Sequence, residues 1–449
     1  MKADIIIIGA GPGGYECAVK AAKEGLQVIV IEEKHVGGTC LNEGCIPTKC
    51  FCRNAEVLEN VRDAARYGLS AGEAVLDLQQ VVRRKDEVVS KLAAGIHTLL
   101  KAPGITLVEG KARFVDAHTV AVGGEEYRAD NVVIATGSVT RMLPIPGTDN
   151  PKVVTSTGML SLEQVPRRLC VIGGGVIGLE FASIFRTFGS EVTVVEFCKE
   201  VLPNFDKDVA KRLRLALKKR GIAFKTGAAV TSIEEGPDGS AVVHFDEKGK
   251  SGNTEADLVL MAVGRGANVS SLNLADIGVA FTPRGITVDD NMCTNVPGVY
   301  AVGDVNGRVQ LAHAATYQGY RALNHMQGRA DDICFDIIPA AVFTLPEVAS
   351  AGLTEEQCTE RDIAYKVYKS FYRANGKALA MDADDGFVKL LADAEGHLLG
   401  AHILGAHAAD LIHEAALLMK LGGTVGQMAE AIHAHPTLSE LLPAAIGEN

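Results

Sequence analysis

The feature that most constrains this chain is a glycine pattern that occurs twice. Each copy begins with a short apolar run, Asp4–Ile8 or Leu169–Ile172, which is typical of a buried parallel strand. Three glycines, a helical stretch and a second apolar run that ends in glutamate follow in both copies. The landmarks Gly9, Gly11, Gly14 and Glu32 recur as Gly173, Gly175, Gly178 and Glu196, each 164 positions later. This identical internal spacing predicts two repeats of one supersecondary unit.

Each copy contains the parts of a dinucleotide-binding βαβ unit. The glycines let the backbone approach a pyrophosphate, the helix N-terminus faces that anion, and the acid at the end of the second strand accepts the ribose hydroxyls. Glu196 also discriminates between nicotinamide cofactors, because its charge repels a 2′-phosphate and no basic residue follows before Lys199. The second copy is therefore expected to bind NAD(H) rather than NADP(H).

Two cysteines, Cys40 and Cys45, stand five residues apart in the stretch VGGTCLNEGCIPTK. Pro47 suits the first turn of a helix, because its missing N–H is not needed there. Such a helix places Cys45 at the positive end of the helix dipole, with Lys49 one turn further on, and both favour a thiolate. We interpret the pair as a redox-active disulfide. The spacing alone also allows structural thiols, or a metal site made of four cysteines: Cys40, Cys45, Cys50 and Cys52.

Apolar periodicity and turn residues predict the remaining elements. Long helices are expected at Phe51–Tyr67 and Leu78–Lys101, and strands at Gly104–Asp116, Thr119–Tyr127 and Asn131–Ser138. From about residue 336 the pattern changes to short strands with hairpin turns. These strands are expected at Leu345–Leu353, Tyr365–Tyr372, Ala378–Asp382, Phe387–Ala392 and Leu398–Leu404. The predicted fold class is α/β, with two Rossmann-like dinucleotide-binding domains followed by a C-terminal α+β domain.

The stretch HAHPTLSE near the C-terminus supplies a candidate base. A thiol substrate needs a base, because only its thiolate attacks a disulfide. An imidazole in turn needs a partner that fixes its tautomer. If a helix begins at Thr437 or Leu438, Glu440 lies one turn inside it and reaches back to His435. We predict that His435 and Glu440 form a general-base pair, with His433 as the local competitor.

Composition narrows the class of protein. A net charge of −11 argues against a nucleic-acid or anionic-membrane partner. No apolar run reaches the roughly 18 residues of a membrane span. The chain enters a strand at once, without a signal or transit pattern, so we expect a cytoplasmic protein. Its ten cysteines are irregularly spaced, and a functional disulfide in a reducing compartment is expected to be catalytic. No metal is assigned.

Together, GAGPGG, GGTCLNEGCIPTK, GGGVIGLE, VYAVGD and HPTLSE resemble the flavoprotein pyridine nucleotide-disulfide oxidoreductases over the whole chain. Within the cysteine motif, Leu41-Asn42 and Ile46–Lys49 resemble the lipoamide branch more than the glutathione branch. The resemblance implies an FAD-binding domain over residues 1–145, completed by about 266–335, and an NAD-binding domain over 146–265. Residues 336–449 would form an interface domain of a homodimer whose active site is shared between the subunits.

The resemblance also implies residue roles. Cys40 would exchange with the thiol substrate, Cys45 would lie against the flavin, and Lys49 would pair with Glu180 near the flavin. His435 of one subunit would face Cys40 of the other. The implied FAD-binding residues are Gly9, Gly11, Gly14, Glu32, Lys49, Ala112, Thr136, Gly137, Ser138, Asp304 and Ala312. The implied NAD-binding residues are Gly173, Gly175, Gly178, Glu196, Val230 and Gly264.

The implied activity is FAD-dependent oxidation of dihydrolipoamide with reduction of NAD. The substrate would be free lipoamide or a lipoyl-bearing protein of a 2-oxoacid dehydrogenase or glycine cleavage complex. Three alternatives stay open: a reductase of another small disulfide such as glutathione, an NADH oxidase-like flavoenzyme, and a non-catalytic structural subunit.

Some positions depart from the family pattern. Glu43 stands where valine is common, and Gly266 replaces an arginine often found after VGR. We expect Glu43 to shift the reactivity of the disulfide only modestly. The ending PAAIGEN holds no cysteine pair, which counts against the mercuric and large thioredoxin reductase branches.

Overall fold

The computed structural model describes residues 1–447. These residues divide into two compact units, each built from three segments of the chain. Unit 1 comprises Met1–Phe51, Gln79–Arg141 and Gly264–Ile333. Unit 2 comprises Cys52–Leu78, Met142–Val263 and the described residues from Cys334 onward. The segments of the two units therefore alternate along the chain.

The first 141 residues begin with the expected βαβ unit. Their elements are β1 (Lys2–Ile8), α1 (Pro12–Lys23), β2 (Val28–Glu32), α2 (Gly38–Asn42), α3 (Cys45–Arg62), α4 (Leu78–Leu99), β3 (Ile105–Glu109), β4 (Ala112–Asp116), β5 (Thr119–Val122), β6 (Glu125–Ile134) and β7 (Ser138–Thr140). The predicted strands Gly104–Asp116 and Thr119–Tyr127 are each two strands, because the chain turns at residues 110–111 and 123–124. The stretch Asn131–Ser138, expected to be a strand that runs into a tight glycine turn, begins with the last four residues of β6, and the strand ends at Ile134 before Gly137.

The next part of the chain repeats the βαβ pattern. Its elements are β8 (Val153–Val154), α5 (Ser156–Met159), β9 (Arg168–Ile172), α6 (Val176–Phe188), β10 (Glu191–Glu196), α7 (Lys207–Lys219), β11 (Ile222–Thr226), β12 (Ala228–Glu235), β13 (Ala241–Glu247), β14 (Lys250–Ala256) and β15 (Leu258–Met261). Residues 264–333 contribute β16 (Arg265–Ala267), β17 (Phe281–Thr282), β18 (Gly285–Ile286), β19 (Val299–Ala301) and α8 (Ala312–Met326).

The C-terminal part has the expected mixture of strands and helices. Its elements are β20 (Ala340–Val342), β21 (Val348–Gly352), α9 (Glu355–Glu360), β22 (Lys366–Phe371), α10 (Gly376–Ala380), β23 (Phe387–Ala392), β24 (Leu398–Leu404), α11 (Ala408–Lys420), α12 (Val425–Glu430) and α13 (Leu441–Gly447). The strand predicted at Ala378–Asp382 is wrong. Those residues begin in α10, where the Asn375 side chain caps the helix by accepting from the Ala378 amide at 2.9 Å.

The main sheet of unit 1 has seven strands in the order β3-β2-β1-β6-β5-β4, with β19 also paired to β6. Four strand pairs of this sheet are parallel: β1 with β2, β1 with β6, β2 with β3, and β6 with β19. Ile6 and Val132 on adjacent strands are fully buried, as the apolar runs required. The carboxyl ends of β1, β2, β6 and β19 therefore lie along one edge of the sheet, which is where α/β folds bind ligands.

Unit 2 contains a parallel sheet in the order β11-β10-β9-β15-β8 and an antiparallel sheet of β12, β13 and β14. It also contains an antiparallel sheet in the order β20-β21-β24-β23-β22. Residues from α11, α12 and α13 join this last sheet in one hydrophobic core. The α/β fold with an added α+β domain is thus confirmed. None of the helices within residues 1–447 has both the length and the apolar character that a membrane crossing requires.

Candidate active site

The first glycine turn follows β1 directly. A Cβ on Gly14 would lie 1.9 Å from the carbonyl oxygen of Gly9, so the close approach of α1 to the strand requires glycine. Glu32 ends β2, and its carboxylate accepts hydrogen bonds from the amides of Ala10 at 2.7 Å and Lys34 at 2.8 Å. The acid predicted to bind ribose hydroxyls is therefore fixed beside the turn.

A cavity of about 360 Å³ lies next to this glutamate. Its lining includes Glu32, His35, Asn42 and Glu109. Because Glu32 and Glu109 end β2 and β3, the cavity lies at the carboxyl ends of parallel strands. Its volume falls within the range of small-molecule sites. The turn, the carboxylate and the cavity together fit the adenosine half of FAD.

The cysteine stretch is attached to the first turn through its backbone. The Gly37 amide donates to the carbonyl of Ala10 at 2.8 Å. A Cβ on Gly38 would lie 2.8 Å from Cα of Gly11, so the two glycines are in contact. The Asn42 side chain donates to the Gly38 carbonyl at 2.9 Å, which fixes α2 on this contact. The segment that carries the cysteines therefore begins against the dinucleotide turn.

Cys40 lies in α2 and Cys45 is the first residue of α3, with Pro47 in the first turn as predicted. The two cysteine side chains are hydrogen-bonded to each other. This bond raises the pKa of the Cys40 thiol, burial and the charge of Cys45 add to the rise, and Lys49 opposes it. Cys40 therefore holds its proton more tightly than an ordinary cysteine. The disulfide between the two cysteines stays a prediction.

A second set of polar residues lies at the carboxyl ends of β6 and β19, which pair in parallel. Ser138 donates from Oγ to the Asp304 carboxylate at 2.5 Å. Arg265 donates from Nε to the same Ser138 oxygen at 2.7 Å. Arg265 was not among the predicted site residues, although its position four residues after the buried strand β15, in the sequence VGR, was an available signal.

The structure also gives the positions of the other predicted FAD-binding residues of unit 1. Thr136 donates from Oγ1 to the Asn268 carbonyl at 2.7 Å, and Gly137 follows it. Ala112 is the first residue of β4 and Ala312 is the first residue of α8. Sequence reasoning also missed a buried residue of α8, Gln318, which accepts from the amide of Gly303 at 2.7 Å. This bond supports the turn that presents Asp304.

The second glycine turn, in unit 2, repeats the first. A Cβ on Gly178 would lie 2.0 Å from the carbonyl oxygen of Gly173. The Glu196 carboxylate accepts from the amides of Gly174 at 2.5 Å and Cys198 at 2.6 Å. These amides occupy the same relative positions as the two that bind the glutamate of the first turn. The residues present fit a dinucleotide whose ribose hydroxyls face a carboxylate, as NAD requires.

The remaining predicted residues of the NAD site are spread over both units. Gly175 precedes α6 as its N-cap, and Val230 lies on β12 opposite Phe245. Gly264 belongs to unit 1, where its carbonyl accepts from the Arg141 amide at 3.0 Å. The structure thus brings the glycines of the turn together with Glu196 inside unit 2.

The two residues expected to pair near the flavin also belong to different units. Lys49 lies in α3 within unit 1. Glu180 lies buried in α6 of unit 2, where it accepts from the Phe343 amide at 2.9 Å. Their pairing stays a prediction.

The C-terminal histidine contacts the predicted glutamate. Nδ1 of His435 lies 2.9 Å from Glu440 Oε1, and the Thr437 amide donates to Glu440 Oε2 at 2.8 Å. The Thr437 amide, and then His435, lower the pKa of the Glu440 carboxyl. The predicted helix start at Thr437 or Leu438 is wrong, since α13 begins at Leu441 and Glu440 precedes it. The contact forms because Glu440 folds back across the intervening turn.

His435 and His433 differ in what their second ring nitrogen contacts. The side chain of His435 is 79% exposed, and its Nε2 makes no hydrogen bond with residues 1–447. Both nitrogens of His433 are engaged, with Glu414 at 2.7 Å and with the Ala431 carbonyl at 2.8 Å. Although burial opposes it, the Glu414 contact raises the pKa of His433. Only His435 of the two therefore has a nitrogen available to a substrate.

The four cysteines considered as a metal site do not cluster with one another in the part of the chain that the structure describes. Cys50 and Cys52 are buried in α3. Within the described residues, the groups of three or more potential metal ligands that come close together include no cysteine. No cluster of metal ligands found in the described residues therefore includes Cys40 or Cys45.

Comparison with known proteins defines the class. The family model for pyridine nucleotide-disulphide oxidoreductases matches residues 3–319, and the model for the dimerisation domain of these enzymes matches residues 338–446. The chain belongs to the pyridine nucleotide-disulphide oxidoreductase family. It is an oxidoreductase of a family that uses FAD and NAD(H).

Individual relatives are similar over nearly the whole chain. Dihydrolipoyl dehydrogenase of Chlamydia muridarum is 40% identical over 446 residues, which covers 98% of this chain and 95% of the relative. Dihydrolipoyl dehydrogenase of Bacillus subtilis is 40% identical over 449 residues, with the same two coverages of 98% and 95%. Leghemoglobin reductase of Glycine max is 39% identical over 452 residues, covering 98% of this chain and 86% of the relative.

A solved structure gives the same class. The HOCl-induced flavoprotein disulfide reductase RclA from Escherichia coli superposes with a TM-score of 0.89 at 30% sequence identity. The superposition covers 99% of each chain. The fold of the chain is therefore similar to that of a flavoprotein disulfide reductase.

Proposed function

We propose that this chain oxidises dihydrolipoyl groups to the cyclic disulfide and reduces NAD, which is the activity of a dihydrolipoyl dehydrogenase. The observation that carries the proposal is the Cys40–Cys45 pair, which is hydrogen-bonded and attached to the first glycine turn. The similarity to two dihydrolipoyl dehydrogenases over 98% of the chain supports this substrate over other disulfides.

The protein residues perform the thiol chemistry. Nε2 of His435 accepts the proton of one substrate thiol, while Glu440 holds the ring through Nδ1. The thiolate attacks Cys40 in the oxidised pair, the Cys40–Cys45 bond breaks, and Cys45 leaves as a thiolate. The second substrate thiol then attacks the substrate sulfur bonded to Cys40 and closes the lipoyl disulfide, while the bond to Cys40 breaks and Cys40 leaves with the proton of that thiol. Two electrons and two protons have passed to the protein.

The two glycine turns hold the cofactors. Glu32 and the Ser138–Asp304 pair are the residues proposed to bind FAD, and Glu196 is proposed to bind the ribose of NAD. When bound, these cofactors supply the electron chemistry that returns the cysteines to the disulfide. The protein's part is to place the thiolate of Cys45 at the N-terminus of α3 and to keep Lys49 one turn away.

We further propose a homodimer in which His435 of one subunit serves Cys40 of the other. The match of residues 338–446 to a dimerisation domain and the exposure of the His435 ring support it. The physiological substrate would then be a lipoyl-bearing protein of a 2-oxoacid dehydrogenase or glycine cleavage complex. A cytoplasmic location fits cysteines that cycle between dithiol and disulfide.

Side-by-side assays test the activity. NAD-dependent oxidation of dihydrolipoamide is expected to exceed NADPH-dependent reduction of glutathione disulfide by several orders of magnitude. A visible spectrum during reductive titration should develop a long-wavelength band at the two-electron stage, from a thiolate next to the flavin. Faster glutathione reduction, or NADH consumption that needs only oxygen, would assign the chain to one of the alternatives instead.

Mixed dimers test the shared site. Cys45→Ser and His435→Gln homodimers are both expected to be inactive. Random subunit exchange between them should restore about a quarter of wild-type turnover, because half of the dimers then contain one site with both residues intact. If each site were built from one subunit, mixing would restore nothing.

A further inference from the structure

A buried lysine of the C-terminal sheet lies apart from the residues discussed above. Lys389 on β23 is 1% exposed at its side chain. Its Nζ lies 2.8 and 3.0 Å from the two carboxylate oxygens of Asp206 and 3.2 Å from Asp208, and it also contacts Glu355. We call these four residues the Lys389 cluster. A buried ammonium is tolerated only with such partners, so the cluster fixes its members firmly.

Asp206 connects the cluster to α7. It is the N-cap of this helix, and its Oδ1 accepts from the amides of Asp208 at 3.0 Å and Val209 at 3.4 Å. One fully buried carboxylate thus both begins α7 and binds Lys389. The first turn of α7 is therefore held on β23 by a charged contact rather than by apolar packing alone.

The segment 197–205 runs from Glu196 of the second glycine turn to Asp206 of the cluster. It returns to the turn, because the Leu202 amide donates to the Gly174 carbonyl at 3.0 Å. A Cβ on Gly174 would lie 3.0 Å from the Val201 side chain, so the segment lies directly against the turn. One end of this segment is fixed by Glu196, which accepts two amides, and the other end by Lys389.

Two further features show that the segment is tightly constrained. Glu200 pairs with Arg214 of α7 at 2.6 and 3.0 Å, which ties the segment to the helix a second time. Leu202 has φ of +47°, a left-handed conformation that is unfavourable for leucine and persists only when its surroundings impose it. A shift at the start of α7 is therefore passed on to the Gly174 carbonyl and the turn.

We propose that Lys389 is a positioning residue for the nicotinamide cofactor. By holding Asp206 it fixes segment 197–205, and through that segment it keeps the Gly174 backbone and the Glu196 carboxylate in their binding arrangement. The inference rests on the NAD part of the proposed function and concerns residues that do not touch the cofactor themselves.

The test is direct NADH binding to the purified, FAD-containing enzyme, measured by NADH fluorescence. Lys389→Met removes the charge while keeping the length of the side chain, and it should raise the NADH Kd at least about tenfold. FAD content, read from the visible absorbance, should stay at the wild-type level. Lys389→Arg keeps the charge and should recover most of the affinity.

Lys369→Met is the matched control. Lys369 lies on the neighbouring strand β22, and its Nζ lies 2.7 Å from Asp208, but its side chain is 34% exposed. Because this pair is partly solvated and leaves Asp206 bound to Lys389, we expect the NADH Kd to change less than about threefold. A change as large as that of Lys389→Met would contradict a specific role for Lys389.

Asp206→Asn covers the case in which Lys389→Met does not fold. Asparagine preserves the helix cap but removes the charge that binds Lys389, so the same selective loss of NADH affinity is expected. A folded, FAD-containing variant of either residue that binds NADH like wild type overturns the proposal, even if its turnover is reduced. If the wild-type enzyme itself binds NADH but does not turn over dihydrolipoamide, the proposed substrate is rejected and the role of Lys389 in NADH binding is left intact.

Discussion

The two glycine turns have the same scaffold but differ in the segment that follows the glutamate. In each copy the glutamate accepts two backbone amides, and the carbonyl of Ala10 or Gly174 accepts an amide from that following segment. In the first copy the segment carries Cys40 and leads to Cys45 at the start of α3. In the second copy it leads to Asp206 at the start of α7, which Lys389 holds.

This difference separates two tasks that one fold performs. The turn and its glutamate determine where a dinucleotide binds, because they provide the close backbone approach and the carboxylate. The segment after the glutamate determines what that copy does. Gly37 and Gly38, with φ of +89° and +57°, allow the first segment to bend into α2 and present a reactive pair. The second segment has a strained leucine and a charged anchor instead, which suits a binding surface.

The largest effect is expected where the chemistry of the first copy is removed. Cys45→Ser should lower dihydrolipoamide turnover by about 10³-fold or more, because serine cannot complete the disulfide. The variant should still bind FAD, since the first turn is unchanged. The half-buried Cys334 is a suitable control, and Cys334→Ser should keep wild-type turnover. Steady-state rates and the visible spectrum check both variants, and near-normal turnover by Cys45→Ser would end the disulfide mechanism.

The next largest effect is expected when one glycine of either turn is replaced by alanine, because each turn is proposed to bind a different cofactor. A Cβ would lie 1.9 Å from a carbonyl oxygen at Gly14 and 2.0 Å from one at Gly178. Gly14→Ala should therefore purify with less than about a tenth of the wild-type FAD, while its partner turn is untouched. Gly178→Ala should remain yellow but bind NADH at least about tenfold more weakly. Flavin absorbance and NADH titration measure these outcomes. Loss of FAD from Gly178→Ala would mean that the two copies are not independent.

Much of the structure of the two glycine turns, and of the C-terminal sheet, was predictable from the sequence. The paired glycines, β-branched runs and glutamates define each βαβ unit locally, and strands such as Phe387–Ala392 and Leu398–Leu404 match at both ends. The error at Ala378–Asp382 has a local cause. A stretch that short fits either period, and the Asn375 cap decides for helix. The wrong helix start before Glu440 did not change the predicted pair, because the turn found in its place also brings Glu440 to His435.

The residues that were missed are joined across long stretches of chain. Arg265 meets Ser138 across 127 positions, and Lys389 meets Asp206 across 183. Spacing and periodicity contain no information about such contacts, which depend on which strand ends become neighbours. Arg265 follows a buried strand in the sequence, which is a signal for a site residue. Lys389 is an isolated lysine inside the apolar strand β23, and the sequence offers no signal for its role. Its role becomes visible when the carboxylates around it are known.

The third prediction concerns the carboxylate of the second copy. Glu196→Gln keeps the size of the side chain but removes the charge, so NADH affinity should fall about tenfold. NADPH affinity should rise, because the repulsion of its 2′-phosphate is lost. Fluorescence titration with both nucleotides checks the change in preference. Equal losses for NADH and NADPH would show that Glu196 acts on the shape of the turn rather than on the ribose.

The smallest effect concerns the acid stability of the strand beside the Lys389 cluster. His402 lies opposite Lys389 in the β23–β24 register and is fully buried, with Nε2 at 2.9 Å from the Leu353 carbonyl. Burial lowers the pKa of His402, and the nearby positive charge of Lys389 adds to the lowering. The carboxylates of Asp206 and Glu356 act in the opposite direction. The folded protein therefore binds a proton here less readily than the unfolded chain does.

It follows that stability is unaffected by this group above the unfolded pKa of about 6.5 and falls as pH drops below it. His402→Gln retains a donor for the Leu353 carbonyl but does not titrate. On acidification the unfolding free energy of the variant should fall less steeply than that of wild type. The two slopes should differ by at most about 1.4 kcal/mol per pH unit, the effect of one proton. His413→Gln, at an exposed position of α11, is the control and should follow wild type. Urea unfolding between pH 7 and 5 decides, and parallel curves for wild type and His402→Gln would show that the acid response arises elsewhere in the molecule.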